Sequence, residues 1–176
     1  DGMTSVEING EEAEKATAQL QKSTNLELAR DEETGKLSAK GEAKTEADKK
    51  LLEAINDENV VVKIDATSSH RTKSGGWFVG GAFGGSEKKD GKVIATQTVN
   101  PKHTKQIESF YGADKGTQMM HEVLEAYVGS QDSPGAGPST FDDVKNQTPN
   151  GRAYTNAHDK AKAIDQYIDT NTNLNT

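Results

Sequence analysis

The chain has 176 residues, of which 31% are hydrophobic, and this length fits one domain of common size. Its net charge of −7 and its mean hydropathy of −0.84 argue against nucleic acid or an anionic membrane as a partner, because phosphate contacts need clustered lysine and arginine. The absence of cysteine excludes disulfides and thiolate chemistry, so any metal site must use histidine, aspartate or glutamate.

The first 44 residues predict small elements added to the front of a domain. A short strand ends at the Asn9-Gly10 turn signal, and a helix follows over about 11–22. Two alternating segments, 26–30 and 36–43, predict a hairpin in which Gly35 occupies the positive-φ position.

The central part predicts a helix and then the best strand of the chain. Residues 45–57 carry a helix start signal, in which Thr45 caps and Asp48 is the acid of the capping box. Residues 60–66, VVVKIDA, are β-branched and nearly continuous, so we expect this strand in the centre of a sheet.

The second half predicts a glycine-rich loop, a strand and two helices. Six glycines between positions 75 and 85 predict a loop with a short strand inside, which covers a cleft and does not cradle phosphate. A strand is predicted at 92–100 and a helix at 116–128. A loop is expected over 129–151 and a closing helix over 156–168, followed by a frayed tail at 171–176.

The predicted helix 116–128 contains MMHEVLEAYVGS, the most informative stretch of the chain. Residues four apart lie on one face of a helix, so His121 and Glu125 can point at one ion while Glu122 flanks it. This is the geometry of the His-Glu-x-x-His zinc site, with glutamate in place of the second histidine. A carboxylate oxygen is an acceptable zinc ligand, so the sequence predicts a Zn²⁺ site.

The motif resembles the zincins, and in the gluzincins among them a later helix supplies the third ligand. His158, in YTNAHDKAKAI, stands at the start of such a helix and is the expected third ligand, with His103 or His70 as alternatives. Both alternatives are predicted to be exposed loop residues. An ordinary amphipathic helix with a half-buried His121 remains the competing interpretation of the motif.

The chain also resembles a family of bacterial secreted proteins. Its start, Asp1-Gly2-Met3, is similar to the junction that ends the core of Rhs/YD-repeat proteins, just before their variable C-terminal toxin domains. MMHEVLEAYVGS and YTNAHDKA resemble the zincin-like metallopeptidase domains found there. The resemblance implies His121, Glu125 and His158 as zinc ligands and Glu122 as general base.

Two tyrosines flank the motif residues. Tyr154 precedes His158 and is a candidate catalytic residue, a phenol that stabilises the tetrahedral intermediate. Tyr127, two residues after Glu125, is expected to pack within its helix.

These observations predict an α+β, zincin-like fold in one domain over 1–176, with a metallopeptidase-like core at 45–170. The expected function is zinc-dependent hydrolysis of peptide bonds in a protein substrate. The domain would be the effector of a larger protein that is secreted, held at the cell surface or delivered into a target cytoplasm, with an immunity protein as a further partner. Alternatives are a zincin-fold module without hydrolytic activity and a nuclease using His121 and Glu122.

Overall fold

The computed structural model describes residues 5–165, which form a mixed α+β domain. The Asp1-Gly2-Met3 stretch, the end of the predicted closing helix and the tail therefore lie outside the described residues. The main sheet has the strand order β1-β4-β6-β5, in which β1 and β6 run parallel to β4 and β5 runs antiparallel to β6. Its strands are β1 (Val6–Asn9), β4 (Val60–Ala66), β5 (Gly81–Lys89) and β6 (Lys92–Val99).

The predicted central strand is confirmed, because β4 lies between β1 and β6. Burial alternates along it: Val60, Val62, Ile64 and Ala66 are buried, and Lys63 on the opposite face is exposed. The helices therefore cover one face of the sheet. Those that contact β4 are α1 (Ala13–Lys22), α2 (Glu46–Asn56) and α4 (Thr117–Asp132).

The predicted hairpin and helix start are also confirmed. The hairpin consists of β2 (Glu27–Arg30) and β3 (Leu37–Lys40), and Gly35 beside it has a φ of +78°. At the start of α2, Thr45 Oγ1 accepts a hydrogen bond from Asp48 N at 3.0 Å and the Asp48 carboxylate accepts one from Thr45 N at 3.2 Å. This reciprocal pair is the predicted capping box.

The glycine-rich segment and the residues after β6 differ from the prediction. The expected short strand is nine residues long and forms the antiparallel edge strand β5. The chain does not simply end a strand at 100, because Pro101 is the first residue of α3 (Pro101–Tyr111), a helix that was not predicted. Asn100 caps it by accepting hydrogen bonds from Lys102 N and His103 N, at 3.0 and 3.2 Å.

The predicted loop over 129–151 is wrong in about half of its length. Helix α4 continues to Asp132, α5 spans Phe141–Lys145, and α6 spans Pro149–Asp165. His158 therefore lies in the middle of α6 and not near its start. None of the helices within residues 5–165 combines the length and apolar character that a membrane span requires.

Helix α4, which carries His121, Glu122 and Glu125, is buried on nearly all sides. Twelve of its sixteen residues are buried, since the sheet lies on one side of the helix and α6 on another. A helix buried nearly all round must have compensation for every polar side chain that it carries into the interior. Its buried polar residues include His121, Glu122 and Glu125.

Candidate metal centre

Three side chains that the sequence singles out converge between α4 and α6. His121 Nε2 lies 3.0 Å from Glu125 Oε2, and His158 Nδ1 lies 2.9 Å from the same oxygen. The two imidazole nitrogens are 3.1 Å apart. The three atoms form a nearly equilateral triangle, and no other group of three such side chains converges in the described part of the chain.

Close packing of two helices brings His158 to this position. A Cβ at Gly129 would lie 3.0 Å from the Cβ of Ala157, so the missing side chain lets α6 approach α4 closely. Ala157 and Ala161 are buried on the same helix. Because His158 follows Ala157 directly, the small residues at the contact place its ring over Glu125.

The donor set fits a cation. A neutral imidazole has one donor and one acceptor nitrogen, and a carboxylate only accepts. The three facing atoms lie within about 3 Å of one another, so when both facing nitrogens are unprotonated all three can direct lone pairs at one point. Two histidine nitrogens and one carboxylate oxygen are a known ligand set for catalytic zinc.

Burial and charge shape the properties of Glu125. Burial would raise the pKa of this carboxyl, but the hydrogen bonds with His121 and His158 outweigh burial and hold the pKa below its usual range. Glu125 therefore stays an anion in the interior. His121 is 1% exposed, whereas the side chain of His158 is 27% exposed, so the centre opens toward solvent on the α6 side.

Glu122 lies beside this centre and outside the triangle. Its carboxylate accepts hydrogen bonds from Gln97 Nε2 at 2.7 Å and from Gln118 Nε2 at 2.9 Å. Burial, and then the negative charge of Glu125, raise the pKa of Glu122 to about 7. The side chain can therefore exchange a proton near neutral pH.

The start of β5 lies directly against the Glu122 carboxylate. A Cβ on Gly81 would lie 2.2 Å from Glu122 Oε2, so only glycine fits between the strand and the carboxylate. Sequence reasoning missed this contact and both glutamines. The only local signal was the spacing of Gln118, four residues before Glu122 on one helix face.

The two tyrosines lie in different surroundings. Tyr154 is one turn before His158 on α6, and its ring stacks on the imidazole with a centroid distance of 6.0 Å. Together with Glu125 and Phe83 it lines a cavity of about 20 Å³. The Tyr127 side chain is buried, as expected for a residue used in helix packing. Its hydroxyl lies 2.8 Å from Glu53 Oε2 and 2.6 Å from Asp57 Oδ2.

The alternative third ligands form a pair of their own. His70 is an exposed loop residue as predicted, but His103 is buried in α3, so the prediction of an exposed loop residue there is wrong. His103 Nε2 lies 2.9 Å from His70 Nδ1, and His103 Nδ1 accepts a hydrogen bond from Gly80 N at 3.3 Å. Neither histidine joins the group around Glu125.

Comparison with known proteins gives no match, whether with protein-family models, curated proteins or solved structures. Functional inference for this chain therefore starts from its own side chains.

Proposed function

We propose that this chain is a zinc-dependent metallopeptidase with a zincin-like arrangement. The observation that carries the proposal is the triangle of His121, Glu125 and His158, with a proton-exchanging carboxylate, Glu122, directly beside it. The order of elements is that expected of a zincin, since a sheet precedes the motif helix α4 and a second ligand-bearing helix, α6, follows it.

His121, Glu125 and His158 would hold the ion. When bound, zinc polarises a carbonyl oxygen and makes water a better nucleophile. Glu122 accepts the proton of the water whose oxygen attacks the peptide carbonyl carbon, and it returns that proton to the amine nitrogen as the C–N bond breaks. The amides of Gln97 and Gln118 keep the carboxylate oriented during both transfers. Tyr154 is in place beside His158 to donate its phenol to the developing oxyanion.

Strand β5 is the better candidate for the edge that pairs with an extended peptide. The other edge strand, β1, is covered by the segment before β3, because Ile8 N donates to Gly35 O at 2.8 Å. At its start, β5 contacts Glu122 through Gly81. A peptide that pairs with this part of the strand would therefore lie near the Glu122 carboxylate. Farther along, Ser86 N donates to Ala136 O at 2.8 Å, which occupies the edge at that residue.

The resemblance to Rhs-associated domains extends the proposal to the protein's context. On that basis the chain is the effector part of a larger secreted bacterial protein, and an immunity protein is its natural inhibitor. Both statements depend on the resemblance of MMHEVLEAYVGS and YTNAHDKA to those domains.

One observation favours a second function, a metal-binding module without hydrolytic activity. Glu125 is an anionic ligand where most zincins have a neutral imidazole. An additional negative ligand donates electron density to the ion, which makes bound water less acidic and hydrolysis slower.

The test is a paired measurement of zinc content and peptide hydrolysis. Parent protein and Glu122→Gln are loaded with zinc and incubated with a broad peptide library. We expect equal zinc content and a loss of cleavage of at least ~10²-fold in the variant, the effect typical of a lost general base. Cleavage by Glu122→Gln at the parental rate would refute the mechanism. A zinc-loaded parent that cleaves nothing would favour the inactive module.

A further inference from the structure

A broad groove between α1 and α3 shares no lining residue with the candidate metal centre. Its volume is about 720 Å³, within the range of sites that bind drug-sized or peptide ligands. One wall comes from α1, the other from α3 and the segment that leads into α4. The groove is therefore too large for a single ion and is independent of the proposed zinc chemistry.

The groove concentrates positive charge on an acidic protein. Five lysines line it, and the two glutamates there leave an excess of three positive charges: Lys15, Lys22, Lys102, Lys105 and Lys115 against Glu12 and Glu108. Since the whole chain carries −7, the rest of it carries a formal charge of −10. Such separation of charge attracts an anionic ligand to one place on the surface.

Carboxylates of the protein neutralise little of this charge. Lys15 pairs with Glu12 at 3.1 Å, but within residues 5–165 the other four lysines have no carboxylate within ion-pair distance. Glu108 is buried and turned toward the start of α4, where its Oε1 accepts hydrogen bonds from Gly116 N at 2.9 Å and Gln118 N at 3.2 Å. Lys22 acts on Glu108 through its charge without an ion-pair contact, so among the described residues four ammonium groups remain without a paired carboxylate.

We propose that this groove binds a short acidic segment, rich in aspartate and glutamate, of a protein partner. Single-stranded nucleic acid is the other polyanion of suitable width, but none of the residues that line the groove within 5–165 is aromatic, so these offer bases nothing to stack on. A long nucleic acid would also extend over the acidic remainder of the surface. A peptide segment of a few residues confines its negative charge to the groove.

Binding of fluorescein-labelled hexaglutamate to the full chain, measured by fluorescence anisotropy at 50 mM salt, tests the proposal. Lys102→Glu/Lys105→Glu alters one wall, and Lys15→Glu/Lys22→Glu alters the other. The matched control is Lys40→Glu/Lys44→Glu, which makes the same charge change at two exposed lysines that lie outside the groove and outside β5. We expect at least tenfold weaker binding in each groove variant that keeps the parental circular dichroism spectrum, and parental binding in the control.

The alternatives give different results in the same assay. If the parent does not bind hexaglutamate, or if the Lys40→Glu/Lys44→Glu control loses as much affinity as the groove variants, the proposal is wrong. Tighter binding of an oligonucleotide of equal charge than of hexaglutamate would overturn it in favour of a nucleic-acid site.

Discussion

The four histidines of the chain form two pairs that look alike. In each pair a histidine buried on a helix meets a more exposed one, and the ring centroids are 4.7 Å apart in both. The nitrogens that face each other are 3.1 Å apart in the His121–His158 pair and 2.9 Å apart in the His70–His103 pair. Among the described residues, only the first pair has a carboxylate, Glu125, within 3.0 Å of both facing nitrogens.

The difference lies in how the lone pairs are used. Gly80 N–H donates to His103 Nδ1, so the proton of the neutral ring is on Nε2, which donates to His70 Nδ1. Every facing atom in that pair then has a defined role without a cation. Around Glu125, one carboxylate oxygen faces both ring nitrogens, which can donate to it or, when both are unprotonated, offer three lone pairs together with it to one cation. Two histidines in contact are therefore a weak sign of a metal site, and the shared carboxylate is what distinguishes one.

We expect the largest difference in zinc binding when the buried histidine of each pair is removed in turn. We expect His121→Ala to abolish zinc binding, because two ligands remain and one of them is on another helix. His103→Ala also removes a buried imidazole, so it controls for the cavity, and it should bind zinc like the parent. Elemental analysis of the folded proteins measures both, and stoichiometric zinc in His121→Ala would contradict the assignment.

The exposed histidines offer a second matched comparison. His158→Ala should weaken zinc binding by at least ~100-fold, beyond the 10–100-fold typical of side chains that only support a ligand. His70→Ala should leave the affinity unchanged. A zinc titration monitored by competition with a chromophoric chelator gives both constants. The reverse ranking would move the third ligand to the other pair.

A methyl group added at the start of β5 tests the role of Glu122 without changing any of the three proposed zinc ligands. Gly81→Ala would force its Cβ against the carboxylate that Gln97 and Gln118 hold in place. Displacement of a catalytic group by about 1 Å costs up to ~10²-fold in rate, so we expect that loss of peptide hydrolysis at unchanged zinc content.

Gly76→Ala is the control, because the nearest atom to its new Cβ is Thr72 Oγ1 at 3.4 Å. Parental hydrolysis by Gly81→Ala would show that Glu122 is not held as described.

The smallest expected effect is a pH dependence of the His70–His103 pair. Burial, and then the charges of His70 and Lys102, lower the pKa of His103. The unfolded chain, with a histidine pKa near 6.5, therefore binds the proton more readily, and acid lowers the free energy of unfolding. The contribution is complete above about pH 6.5 and is lost as the pH falls toward the lowered pKa of the folded state.

The matched variant for this effect is His103→Gln, which keeps an acceptor for Gly80 N–H and does not titrate. Urea denaturation at pH 7.5 and 5.5 measures the free energy of unfolding of both proteins. The amount by which the parent exceeds the variant should be smaller at pH 5.5. A difference that is the same at both pH values would show that His103 binds no additional proton on unfolding.

Local signals were sufficient for part of this architecture. The spacing of His121 and Glu125, the capping box at Thr45 and the alternation in 60–66 each depend on neighbours in sequence, and the predicted helix, cap and central strand are present. The Asn100-Pro101 pair was ambiguous, because the same two residues can stop a strand or cap a helix and begin it.

The remaining features depend on contacts between distant segments. Gln97 reaches Glu122 only through the register of β6 against its neighbours, which no local pattern specifies. The choice among His158, His103 and His70 depended on the close approach of α6 to α4 at Gly129 and Ala157. No spacing rule within one helix can predict such a contact.

Anomalous diffraction at the zinc absorption edge, from crystals of the zinc-loaded protein, tests the central claim most directly. The account predicts one strong peak per chain, bounded by His121 Nε2, Glu125 Oε2 and His158 Nδ1. A peak between His70 and His103, or the absence of a peak at the Glu125 triangle, would contradict it.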